Sequence, residues 1–313
     1  MAADVTVRVI DFPVVPDESV GARILRSIRV LRAAFDPGGY DIVHAQDCIS
    51  ANAVDRCIRT IHHLDQFTTP ELAACHERAI TTPYAHLCVS AGVAAEVRAG
   101  WGLQPTVIGN GVDADRFAAA TLDQAGQARW RDQLGRYVLA VGGIEPRKGS
   151  LDLLEAYAIL SARQPDLQLV FAGGETLFDY RDYRAGFDAG ASELAVRPHV
   201  LGPVGHDELP SLVAGCTAFG FVSTQEGFGL AAMEALAAHV PVVVRDLPVL
   251  HEVFGGHVRY ARDPAGIADT LEAGMTEGPR PGGVDFARAH TWSAAAEAHL
   301  DFYDRHPAPW SAT

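Results

Sequence analysis

Residues 222–244 read VSTQEGFGLAAMEALAAHVPVVV, and their pattern decides the fold. A β-forming run ends at Glu226, a Gly-Phe-Gly turn follows at 227–229, and a stretch rich in Ala, Leu and Met then favours a helix. Pro241 closes that stretch and opens a second β-branched run, VVV. Strand, turn, helix and strand in this order make a crossover between parallel strands. In a parallel α/β sheet, ligands bind just beyond the C-terminal ends of the strands, which is where this turn lies.

Working outward, the same alternation covers the second half of the chain. YVLAVGG (137–143) is followed by a helix that Ser150 is expected to cap, then by LQLVFAGG (167–174), HVLGPV (199–204), TAFGFVS (217–223) and PVVVRD (241–246). The first half shows a second series: VTVRVI (5–10), a helix on Ile24, Leu25, Ile28 and Leu31, DIVHA (41–45), CIRTIHH (57–63), a helix opened by Thr69-Pro70 as N-cap and N1, HLCVS (86–90) and PTVIGNG (105–111). Between the two series TLDQAGQARWRDQLG (121–135) is polar and poorly β-forming, which places the domain boundary near residue 125. The expected division is 1–125, 126–283 and a final segment, 284–313, whose helix should pack on the body through Trp292, Ala296, Leu300 and Tyr303.

Bulk properties agree with two α/β domains, because 313 residues exceed a single domain of roughly 150 residues. A net charge of −14 disfavours a large phosphate-backbone footprint and so makes nucleic acid a poor first guess, while a local basic pocket could still hold a small anion. Cys48, Cys57, Cys75, Cys88 and Cys216 are odd in number and form no C-x-x-C pair, so a zinc or redox motif is not read; a reducing cytoplasm fits. No apolar run reaches membrane-spanning length, and Asp4, Arg8 and Asp11 interrupt the region where a signal peptide needs an apolar core. Peripheral membrane contact stays open.

Two turns carry the chemistry. At the first, the backbone N–H groups of Gly229 and Leu230 lie at a helix N-terminus, where free donors and the macrodipole stabilise a phosphate, and Glu234 follows one to two turns in. At the second, GGIEPRKGS (142–150), a Gly-rich turn places Arg147 and Lys148 at the mouth of a strand–helix junction. A bound phosphate group needs its charge offset, and cations with amides supply that. Lone glutamates or an Arg-Lys pair in a turn would otherwise read as solvated surface.

Glu226 and Glu234 with their Gly-Phe-Gly turn resemble the E-x7-E motif of glycosyltransferase family 4, of GT-B fold, and GGIEPRKGS resembles that family's donor-diphosphate loop. The resemblance spans nearly the whole chain and, together with AGGETLFDYRDYR (172–184), points to an uncharacterised bacterial subfamily. It implies an α/β fold of two Rossmann-like domains facing a cleft, and a retaining transfer of sugar from a nucleoside-diphosphate sugar to a hydroxyl acceptor without cofactor or required metal. By resemblance Glu226 contacts the donor sugar, Glu234 the ribose hydroxyls and Lys148 the diphosphate, with Phe228, Gly229 and Leu230 forming the phosphate turn. One departure is plain: Gly143 stands where the family usually has an arginine, and Arg147 is the candidate stand-in. Asp179, Tyr180, Arg181 and Tyr183 are candidates for the sugar pocket, with a charged loop leading into a solvated helix as the alternative.

On the acceptor side, His62 falls where many relatives keep a histidine near the anomeric region, with His63 and Asp65 beside it and His44 a weaker candidate. Ser90 reads as a helix N-cap. Asn110-Gly111 reads as a turn needing positive φ. Asp113-Ala-Asp115 imitates a metal-binding D-x-D but belongs to the NGVDADRF turn. The family begins with a further strand, Gly-rich loop and helix, so the resemblance predicts a first domain lacking its central strands, with unpaired edges and some uncovered core. Two alternatives follow: a chain that binds a nucleotide sugar without turnover, and a nucleotide-sugar 2-epimerase, which shares the GT-B fold.

Overall fold

The computed structural model describes residues 5–65, 67, 69–174 and 180–308. The chain divides into two compact units, one of Met1–Val89, Val93–Val107 and His299–Thr313, the other of Ser90–Gly92 and Ile108–Ala298.

The first unit is built from α1 (Val20–Ala34), β1 (His44–Ala45), α2 (Cys48–Ala53), β2 (Ile58–Ile61), α3 (Pro70–Thr81), β3 (Ala85–Cys88), most of α4 (Ala91–Trp101) and β4 (Thr106–Val107). Its sheet is parallel throughout in the order β1-β2-β3-β4, with Ile58 opposite both His44 and Ala85. Both edge strands are only two residues long, which leaves little unpaired backbone for another chain to join. VTVRVI, expected as a strand, is not one: residues 5–10 pair with no strand, and Val9 is 86% exposed. The alternation of valines was real, but a β-pattern becomes a strand only where a neighbour supplies the ladder of hydrogen bonds. α3 starts where Thr69-Pro70 indicated, although the Thr69 side chain makes no capping bond.

The second unit continues with α5 (Ala114–Ala119), α6 (Gln124–Leu134), β5 (Arg136–Val141), α7 (Ser150–Arg163), β6 (Leu167–Ala172), α8 (Arg181–Glu193), β7 (His199–Val200), α9 (Leu209–Gly215), β8 (Ala218–Phe221), α10 (Leu230–Ala237), β9 (Val242–Arg245), α11 (Pro248–Phe254), β10 (Arg259–Ala261), α12 (Pro264–Glu277), α13 (Gly283–Ala289) and the start of α14 (Trp292–Arg305), whose part from His299 onward belongs to the first unit. Its parallel sheet has the order β10-β9-β8-β5-β6-β7. From β5 the chain steps to β6 and β7 on one side, then returns to lay β8, β9 and β10 on the other. The reversal falls between β5 and β8, and at such a switch point the two outgoing loops part and leave a crevice. Val138, Leu153, Leu169, Phe171, Leu271 and Ile267 are buried together in the core beneath it.

Three expectations need correction. The helix after β5 is not capped by Ser150; its N-cap is Gly149, which takes a left-handed conformation (φ 65°, ψ 31°) open to glycine at little cost. Neither Asn110 nor Gly111 has positive φ. Glycine is required at 111 by closeness instead, since a Cβ there would collide with the backbone of Thr291 and Trp292. In α14 the stripe of Trp292 and Leu300 faces water, at 52% and 61% exposure, while Ala295 and Phe302 are buried. The helix carries two apolar stripes, and the one holding the fully buried Phe302 ring prevails. No helix among the described residues is long and apolar enough to cross a membrane.

Candidate functional site

The two loops that leave the switch point are the two singled out by sequence. After β5, Gly142 adopts φ 137°, and a short 3-10 turn (Pro146–Lys148) leads through Gly149 into α7. After β8, residues 222–229 lead through Gly229 (φ 101°, ψ 48°) into α10. Both glycines are dictated by space as well as by φ. A Cβ on Gly149 would strike the Val222 carbonyl, and one on Gly229 would press on the Phe254 and Phe221 rings at 3.0–3.2 Å. The loops are tied to each other: Thr224 N donates to the Arg147 carbonyl at 2.8 Å.

Side chains complete the junction. Lys148 Nζ donates to Glu226 Oε1 at 2.8 Å, and Arg147 Nη1 donates to the same oxygen at 3.0 Å. Lys148 runs along Gly142, where a Cβ would sit 3.5–3.7 Å from its stem, and its ammonium lies 5.4 Å from the Phe221 ring centre. Gly142, Gly143, Lys148, Ser150, Phe221 and Ser223 line one recess at the switch point. The structure therefore brings Gly143, Arg147, Lys148 and Glu226 together. Phe228 is buried beneath the turn, and Leu230 opens α10 with its side chain partly exposed. The amides of Leu230 and Ala231 at the head of α10 have no acceptor within the helix, while Ala232 N already donates to the Gly229 carbonyl at 3.1 Å.

Glu234 lies one turn into α10 and is half-buried. Burial pushes its carboxyl up to about 7, with Asp113 adding to the shift and Arg116 opposing it. It pairs with no cation among the described residues. Asp113 itself caps α5 by accepting from Arg116 N at 3.3 Å, and Asp115 meets Arg288 at 3.2 Å, so the D-x-D imitation is occupied in helix capping and ion pairing. No group of three metal-ligating side chains occurs among the described residues.

One supporting residue was not foreseen, and one has a role other than the expected one. Arg245, the last residue of β9, is buried, donates twice to the Val222 carbonyl at 2.8 and 3.0 Å, and forms a close ion pair with Asp152 in the first turn of α7. It joins β8, β9 and α7 directly under the recess. The available signal was the arginine that ends the otherwise apolar run VVVR. Tyr183 differs from its sequence reading, because its hydroxyl accepts from Leu151 N at 3.3 Å and so braces α7. Tyr180 and Arg181 stand at the start of α8, and Asp179 lies outside the described residues.

In the first unit the histidines form a row. His62 Nε2 meets Gln46 Oε1 at 3.0 Å, Gln46 Nε2 meets His44 Nε2 at 3.2 Å, and His44 Nδ1 meets the Tyr303 hydroxyl at 2.7 Å. Thr60 Oγ1 is 2.7 Å from His44 Nε2. The row sets its own proton positions. The Gln46 carbonyl accepts, so His62 donates from Nε2. The Gln46 amide donates, so His44 accepts at Nε2 and carries its proton on Nδ1. Burial pulls His62 down to about 4, with Arg59 and His63 helping and Asp47 opposing. Burial also pulls His44 down to about 4, together with His299, Arg59 and His62. Both rings are therefore neutral near pH 7, and His62 offers a bare Nδ1 lone pair as hydrogen-bond acceptor. His63 is apart from this row, 3.2 Å from Asp65.

Comparison with known proteins fits this geometry. Residues 128–277 match the family of glycosyl transferases group 1, and residues 2–116 match Glycosyltransferase Family 4. The D-inositol 3-phosphate glycosyltransferase of Mycolicibacterium gilvum (strain PYR-GCK) is 30% identical over 313 aligned residues, covering 88% of this chain and 69% of the relative. Among solved structures, Anabaena Alr3699/HepE in complex with UDP and glucose superposes with a TM-score of 0.72 at 18% identity, covering 90% of this chain and 80% of that one. Sucrose-phosphate synthase (tll1590) from Thermosynechococcus elongatus gives 0.72 at 19% identity, covering 93% and 80%. These likenesses define the class as glycosyltransferases of GT-B fold. The chain belongs to glycosyltransferase family 4.

Proposed function

We infer that this glycosyltransferase takes its sugar from a nucleoside-diphosphate sugar bound at the β5–β8 switch point and transfers it with retained anomeric configuration to a hydroxyl acceptor. The observation that carries the reading is the convergence of Arg147 and Lys148 on Glu226 beside the free amides at the head of α10. A diphosphate needs cations and amides, and a sugar needs a carboxylate acceptor; all three meet here. Arg147 supplies the second cation that Gly143 does not. Because the protein brings its own positive charge, the leaving diphosphate needs no metal. Glu234 accepts from the ribose hydroxyls, and His62 accepts through Nδ1 from a hydroxyl of the acceptor. A pKa of about 4 makes His62 a poor general base, so its role is to orient.

In the reaction the bond from the anomeric carbon to the diphosphate oxygen breaks, and the acceptor oxygen bonds to that carbon on the same face. The acceptor proton passes to the departing phosphate oxygen, whose charge Arg147, Lys148 and the α10 amides hold. HepE, solved with UDP-glucose, supports a nucleotide-sugar donor for this family member. Purified protein is to be incubated with UDP-, GDP- and ADP-sugars and a panel of hydroxyl acceptors, with and without EDTA, and product configuration read by NMR. A retained anomer formed equally in EDTA is expected. An inverted product ends the retaining assignment, and binding without turnover leaves a nucleotide-sugar binder.

A further inference from the structure

Two cations end on a single oxygen. Glu226 Oε1 takes both Lys148 Nζ and Arg147 Nη1, and the Glu226 side chain is only 10% exposed. Neither cation is loosely held. The Lys148 stem lies along Gly142, and Arg147 Nη1 also reaches the Gln225 carbonyl at 3.5 Å. Both charges are thus aimed at the spot that the carboxylate fills, and an anion seeking them must displace that carboxylate.

We propose that Glu226 is a built-in counter-ion that occupies the diphosphate seat of the empty enzyme and hastens product loss by competing with the released nucleoside diphosphate for Arg147 and Lys148. This rests on reading the two turns as the donor site. The competition is selective because a displaced, poorly hydrated carboxylate must find new donors or remain unpaired at a cost. An intact nucleotide sugar brings sugar hydroxyls that donate to Glu226 as its cations turn to the phosphates. The nucleoside diphosphate lacks that sugar, and its ribose hydroxyls go to Glu234. It also carries extra negative charge on its terminal phosphate, so its repulsion from Glu226 is greater. Substrate therefore compensates the displaced carboxylate and product does not. Once the sugar has gone, Glu226 pulls the cations back.

The experiment is calorimetry of UDP, GDP and ADP, and of the matching nucleotide sugars, on the 313-residue chain as wild type, Glu226→Gln and Lys148→Ala. Glu226→Gln removes the charge and keeps the shape. It should bind the nucleoside diphosphate about five-fold or more tightly, with no tightening of the nucleotide sugar. Product inhibition should strengthen by the same factor, and kcat should fall. A purely structural glutamate would not tighten one ligand and spare the other. Should Glu226→Gln fail to fold, Glu226→Asp retracts the charge by one methylene and should shift product affinity in the same direction by less. Product affinity at or below wild type in the folded variant, with Lys148→Ala clearly weakened, overturns the counter-ion role and leaves the donor site standing. Wild-type affinity in Lys148→Ala, or no nucleotide binding by the wild-type protein, overturns the donor site itself.

Discussion

The turns around Glu226 and the histidine row on β1 and β2 answer opposite electrostatic needs with similar burial. At the switch point, charge is concentrated: two cations and a carboxylate meet within 3.0 Å, and glycines at 142, 149 and 229 let the backbone come close enough to hold them. In the row, charge is suppressed. His44 and His62 are held neutral by burial and by the nearby Arg59, and a chain of hydrogen bonds fixes which nitrogen carries each proton. The difference matches the chemistry proposed for each. A leaving diphosphate is stabilised by fixed positive charge, whereas hydroxyl groups are oriented by neutral donors and acceptors in known tautomers.

The comparison breaks most directly at Lys148. Lys148→Ala removes a charged hydrogen bond to the diphosphate and should weaken donor affinity by about 1.5–3 kcal/mol, whereas His62→Ala should leave nucleoside diphosphate binding unchanged. Calorimetry with both variants decides this, and equal losses would merge the two regions into one site role. Next in size is a pair of glycines. Gly229→Ala forces a side chain to φ 101° and against the Phe254 ring at 3.0 Å, and should cost about 2–3 kcal/mol of stability. Gly100→Ala, in α4 with open space where its Cβ would go, should stabilise by roughly 0.5–1 kcal/mol. Thermal unfolding of the two should move in opposite directions.

How much of this was legible in the sequence depended on whether a residue acts through its neighbours in the chain or through distant ones. β5, β6, β8 and β9 announce themselves as apolar β-branched or aromatic runs, and the two turns are readable because glycine, cation and carboxylate spacing is local. β10 was missed because RYA has only three residues and borrows its stability from β9. VTVRVI failed in the opposite way, with the right pattern and no strand to pair with. The role of Arg245 was invisible for a related reason: its partners, Val222 and Asp152, are 23 and 93 residues away. The face on which α14 packs could not be chosen from periodicity, since both stripes have the helical repeat.

The histidine row also sharpens the comparison through pH. In the unfolded chain a histidine titrates near 6.5, and in the folded protein His44 titrates at about 4. The unfolded state therefore binds more protons between these values. Stability from His44 is complete above about 6.5 and is lost as pH falls through 6.5 towards 4, and the same holds for His62. After allowance for partial exposure, each should account for about 1–2 kcal/mol between pH 7 and 4.5. Urea unfolding across that range should show the loss, and His44→Gln should flatten part of it. A wild-type slope in His44→Gln would mean that the row is not held neutral.

A further expected effect concerns Glu234, which sits between the two regimes because it is a carboxylate that burial holds at about 7. Its stability contribution has the sign of a raised acid. The folded state keeps the proton more firmly than the unfolded chain, so stability declines as pH rises from about 4.5 to 7 and is level above. Donor affinity should move the other way. The ionised carboxylate has both oxygens free to accept from the ribose hydroxyls, whereas the acid gives up part of that capacity to its own proton. Binding of a nucleoside diphosphate should therefore strengthen by up to about ten-fold from pH 6 to 8, since most of the Glu234 population changes state across that interval. The terminal phosphate of the ligand titrates in the same range, so the nucleotide sugar, which lacks that ionisation, is the cleaner probe. Glu234→Gln cannot ionise and should bind the nucleotide sugar with an affinity independent of pH, close to the wild-type value at pH 6. If wild type and Glu234→Gln show the same pH profile, the ribose role proposed for Glu234 is wrong, and its raised pKa reflects only its burial beside α5.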